Sequence, residues 1–130
     1  MTVTQWNPRG SSELLDKAFL QRMVSTDLDE NSLGLDAGEV KSFAPIMHIK
    51  ADVWLEVCSD LEAQDLVAIC KWLTLAEVRL DGWLAGDQSP VIIIARLLRQ
   101  KDEYPKALTA WIREHSSNRF LPYGSLMDRL

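Results

Sequence analysis

Between residues 59 and 100 the apolar positions repeat with helical spacing, broken once by a polar turn. Leu66, Ile69, Cys70, Leu73, Ala76 and Leu80 follow one another at intervals of one helical turn, which lines them along one stripe. Val67, Leu75 and Val78 fall on the opposite side. A helix apolar on two sides has neighbours on more than one face, so the pattern predicts a central helix over 60–80. Val91, Ile94, Ala95 and Leu98 draw a second stripe, widened by Ile93 and Leu97. It predicts a helix over 90–100, folded back on the first through 81–89. The β-branched run at 91–94 also suits a strand. Ser89-Pro90 ahead of it, a hydroxyl cap followed by proline at the first helical position, favours helix, as does Ala95-Arg96-Leu97-Leu98 after it.

The flanking segments follow the same reading. Leu15, Phe19 and Met23 recur every fourth residue and predict a helix over 13–24, capped by Ser11 or Ser12. After an acidic, turn-rich connection at 25–36, Asp36 and Glu39 have capping-box spacing and start a short helix ending near Phe43. Residues 46–49 suit either an extended or a helical backbone. Val53, Trp54 and Val57 share a face of a helix over 51–57, and Ser59 with Glu62 forms a second capping-box spacing ahead of the central helix. Pro105 opens a last helix over 106–115, with Leu108, Trp111 and Ile112 inward. The pattern is that of an all-α, single-domain bundle of five or six helices around a central buried helix. Residues 1–11 read as a flexible arm, and 12–130 as one helical domain that includes a packed C-terminal tail.

Composition changes this picture little: 47% of residues are apolar and 25% charged, ordinary values for a soluble globular chain. Charge changes it more. The net −5 belongs to the first half, where residues 1–65 carry five basic against twelve acidic side chains; residues 66–130 carry nine against seven. That balance argues against a nucleic-acid partner, which requires a basic surface, although Arg96, Arg99, Lys101, Lys106 and Arg113 leave room for a local basic face. Cys58 and Cys70 lie in apolar surroundings and read as small core hydrophobes. No run approaches the ~18 apolar residues of a membrane span, no leader pattern opens the chain, and the cytoplasm is the expected compartment.

Candidate chemistry is sparse. Asp27-x-Asp29-x-Asn31 matches the opening of a calcium loop, but Ser32 and Gly38 stand where that loop needs glycine and glutamate. Cys58, Cys70 and His48 lack the paired spacing of zinc motifs. His115 reads as a helix C-terminal cap, and Asp65, near the central stripe, as a partly exposed structural carboxylate. Nucleotide-loop, metalloprotease and hydrolase motifs are absent from the sequence, so no cofactor, no metal and no catalytic residue is expected.

Two stretches remain. In 81–89, Gly82 and Gly86 permit sharp turns, and Gly86, Asp87 and Ser89, with Arg96 and Arg99 on the following helix, are candidate ligands for a small anion. The plainer reading of that loop is an interhelical connection with an ordinary cap. In the tail, Arg119, Phe120 and Tyr123 are candidate partner-binding residues, since aromatics and arginine anchor interfaces. The leading expectation is a non-enzymatic protein-interaction or adaptor module of bacterial-cytoplasm type, bound to a protein partner or to itself. An anion-binding protein or enzyme using the 81–89 loop is the alternative, and nucleic-acid binding a weaker one.

Overall fold

Six α-helices carry the chain through residues 15–116, the part that this computed structural model describes. They are α1 (Lys17–Ser25), α2 (Ala37–Phe43), α3 (Ala51–Cys58), α4 (Ala63–Arg79), α5 (Pro90–Gln100) and α6 (Lys106–His115). Short 3₁₀ turns at Ala44–His48 and Gly86–Gln88 complete the order, and no strand occurs among the described residues. The arm at 1–11, the Ser11 and Ser12 caps and the tail residues Arg119, Phe120 and Tyr123 lie outside the described residues.

α4 is the central helix. It packs against α1, α5 and α6, and α3 packs on α5. Every residue from Trp72 to Glu77 is buried. Six consecutive residues exceed one 3.6-residue turn, so this part of α4 is enclosed on all sides. The two-sided pattern is thus real around Leu73 and Leu75 but does not extend to Val78, which is exposed, or to Val67, which is half-buried.

Two helix starts differ from the sequence expectation. α1 begins at Lys17, because the Asp16 carboxylate accepts the Phe19 amide at 2.9 Å and caps the helix there. Leu15 and Leu20, both buried, then occupy the positions of a hydrophobic staple around that cap. α4 begins at Ala63 with Glu62 as an N-cap whose side chain makes no capping bond. The Ser59–Glu62 capping box does not form, since the Ser59 hydroxyl donates to the Glu56 carbonyl at 3.0 Å and closes α3 instead. At α2 the box does form: Asp36 accepts from the Glu39 amide at 2.8 Å and Glu39 from the Asp36 amide at 3.1 Å.

The segment between α1 and α3 holds only the short α2 and a 3₁₀ turn, and the helices fasten it through its carbonyls. Trp72 of α4 donates its indole N–H to Leu33 at 3.2 Å, Trp54 of α3 to Ile46 at 3.2 Å, and Trp83 to Val40 at 2.8 Å. All three indoles are fully buried. Each therefore contributes a large apolar body and a hydrogen bond to a backbone oxygen of the segment, the Ile46 oxygen accepting the Ile49 amide as well. Arg79 adds bonds to the Leu28 and Glu30 carbonyls at 2.6 and 3.1 Å, and Arg22 one to Gly34 at 3.1 Å. Arg22 also forms a bidentate pair with Glu39 at 2.9 and 3.1 Å. That contact, with the Asp36 amide beside it, holds the Glu39 carboxyl below its ordinary range.

Candidate functional site

The loop between α4 and α5 is built around a carboxylate that the sequence pattern did not single out. Glu77, in the last turn of α4, is only 6% exposed. Its Oε1 accepts the Ala85 amide at 3.2 Å, and its Oε2 accepts a short hydrogen bond from the Ser89 hydroxyl. The same Ser89 oxygen accepts the Val91 amide at 3.2 Å and caps α5. Gly82 and Gly86, at φ of 83° and 59°, adopt the left-handed backbone that carries the chain around this carboxylate. Trp83 lies between them, fully buried against Trp72 at an edge-on centroid distance of 5.6 Å.

This arrangement has a direct electrostatic sense. The start of α5 presents the positive end of its dipole, and Glu77 brings a negative charge to the serine that caps it. The hydroxyl expected to help hold an external anion is bonded to an internal one, and the first donor of the helix is capped. Pro90 has no N–H, and the Ile92 amide donates to the Ser89 carbonyl at 3.1 Å.

The remaining candidates separate into two places. Asp87, Ser89 and Arg96 line a surface cleft of about 320 Å³ between the start of α3 and the start of α5. Gly86 and Arg99 are not among its lining residues. Arg99 instead lays its guanidinium over the Tyr104 ring at 4.2 Å. His48 and Lys50, which the anion reading did not include, stand on the cleft's other wall, with Ile49, Ile92 and Ile93 between the two charged walls. The sequence held no signal for that pairing, because it depends on how α3 packs on α5.

The other titratable groups have structural explanations. Burial pushes the Cys58 and Cys70 thiols up to about 12, with Lys71 pulling weakly the other way on Cys70. The Asp27 carboxylate accepts the Asp29 amide at 2.9 Å, closing a local turn. His115 donates from Nδ1 to the Trp111 carbonyl at 2.7 Å and stacks on that indole at 4.0 Å, a C-terminal cap with an aromatic contact. Among the described residues, no three His, Cys, Asp or Glu side chains converge as a metal site, and no helix is long and apolar enough to cross a membrane.

What results is an all-α bundle whose buried polar side chains all have hydrogen-bond partners among the described residues. The chain matches no protein-family model, no curated protein and no solved structure with which it was compared.

Proposed function

We propose that the protein is a non-enzymatic interaction module that acts in the cytoplasm by docking to another protein surface, a second copy of the chain included. The observation that supports this is the position of its exposed large hydrophobic side chains. Among the described residues these are Val78 and Leu84, at 56% and 63% exposure, and both line one open depression at the end of α4. Large side chains left in water beside each other cost solvation free energy that docking recovers, at about 25 cal/mol per Å² of apolar surface covered. Arg79 and Asp81 line the same depression and supply a charged rim. Two unpaired buried thiols fit a reducing compartment.

The test pairs a photo-crosslinking residue at position 84 with sedimentation velocity over a range of concentrations. Crosslinks from position 84, and association lost in a Val78→Ser, Leu84→Ser double variant whose melting temperature is unchanged, are the expected result. A concentration-independent monomer that crosslinks no better from position 84 than from the exposed control position Glu114 refutes the reading.

A further inference from the structure

Among the described residues, one aspartate alone has both its carboxylate and the amide that follows it uncommitted. The Asp16, Asp27 and Asp36 carboxylates accept the Phe19, Asp29 and Glu39 amides. The amides that follow Asp29, Asp52, Asp60, Asp65, Asp87 and Asp102 each donate to a backbone carbonyl at 2.9–3.1 Å. Asp81 is the exception. It is exposed, its carboxylate makes no hydrogen bond or ion pair among the described residues, and the Gly82 amide donates to no acceptor there. The turn that carries this pair is closed by a single bond, from the Trp83 amide to the Leu80 carbonyl at 3.3 Å. A Cβ built on Gly82 would meet nothing within 4 Å, so neither a side chain of its own nor a neighbour crowds that side of the residue. Asp52 gives the contrast: its carboxylate lies 3.0 Å from the Val53 amide, but that amide is shared with the Lys50 carbonyl and belongs to a β-branched residue at the start of α3.

We propose that Asp81 is a site of spontaneous covalent modification, its side chain closing onto the Gly82 amide and reopening as isoaspartate. The Gly82 nitrogen attacks Cγ of the Asp81 carboxyl group. A nitrogen–Cγ bond forms, the bond from Cγ to its hydroxyl oxygen breaks, and the hydroxyl leaves with the amide proton as water. The product is a five-membered cyclic imide. Solvent water then adds to one of its two carbonyls. Addition at Cγ restores aspartate. Addition at the main-chain carbonyl breaks that carbon's bond to nitrogen and leaves the chain running through Cγ. The isoaspartate so formed adds one carbon to the backbone between Leu80 and the fully buried Trp83. Asp81 also lines the depression that holds Val78 and Leu84, so the change alters its rim. The chemistry itself does not depend on the interaction reading.

The test ages the full chain in native buffer and, in parallel, unfolded in guanidinium chloride. Tryptic peptides from both are then read by electron-transfer fragmentation, which separates isoaspartate from aspartate at each position. The native chain should accumulate isoaspartate at position 81 sooner than at any other aspartate, the exposed Asp52 and Asp87 included. Asp81→Glu would have to close a six-membered ring and should lose the modification at that position. Asp81→Asn releases ammonia instead of water on closure and should gain isoaspartate there faster than the wild type. Both variants replace an exposed side chain that makes no bond among the described residues, so their melting temperatures should match that of the wild type. Isoaspartate that forms at position 81 only in the unfolded chain would show that the turn holds the two groups apart, and would overturn the proposal. Accumulation at Asp52 or Asp87 as fast as at Asp81 in the native chain would overturn it too.

Discussion

Cys58 and Cys70 show how far the surroundings move a single group. Each thiol is pushed up to about 12 by loss of hydration, whereas in an unfolded chain it ionises near ~8.5. The unfolded state therefore releases these protons first as pH rises. Their contribution to stability is complete below about 8.5 and is lost progressively toward 12. The unfolding free energy, measured in urea from pH 7 to the alkaline limit of reversible unfolding, should fall more steeply for the wild type than for a Cys58→Ala, Cys70→Ala variant. Parallel curves would mean that the thiols are hydrated. Glu39 works in the opposite direction. Its carboxyl is held low by Arg22, so its contribution is present above the ordinary carboxylate range and fades as pH falls through the depressed value.

At the scale of elements, the helices were legible where a periodic stripe met a definite cap. Ser89-Pro90 starts α5 and Asp36 with Glu39 starts α2, because a side chain of the right length reaches the orphan amides. Ser59 with Glu62 has the same spacing and fails, since the end of α3 competes for the serine hydroxyl. Spacing alone does not encode that competition. The fastening of residues 26–49 was also hidden. The sequence shows five tryptophans, but not that three of them donate to carbonyls of this segment. Leu33 marks the tension there, with a positive φ of 54° at a buried position and its carbonyl aimed at the Trp72 indole. Trp72→Phe keeps most of the ring but removes the donor, leaving that carbonyl without its partner. The expected cost is about 1–3 kcal/mol, with amide exchange accelerated around residues 33–35 ahead of α5. Uniform acceleration would show that the segment is held by packing rather than by these bonds.

Across the whole molecule, polar chemistry and surface divide. Glu77, Ser89 and the indoles are spent on joining helices and loops, and the Thr74 hydroxyl on the Cys70 carbonyl of its own helix. Among the described residues, the exposed large hydrophobic side chains are Val78 and Leu84 at one end of α4. The sequence marked the 81–89 loop for its glycines and its serine, and marked Arg96. It gave no indication of Glu77, because one charge within an apolar helix reads as exposed until the fold encloses it. Unfolding of Glu77→Gln by urea tests this division most directly. If the carboxylate is the clasp between α4 and α5, the amide cannot accept from both Ser89 and Ala85, and stability should fall by about 1–3 kcal/mol. A group held ready for chemistry is commonly maintained at the expense of stability, so its replacement leaves the fold as stable or makes it more so. An unchanged or raised unfolding midpoint for Glu77→Gln would contradict the structural clasp.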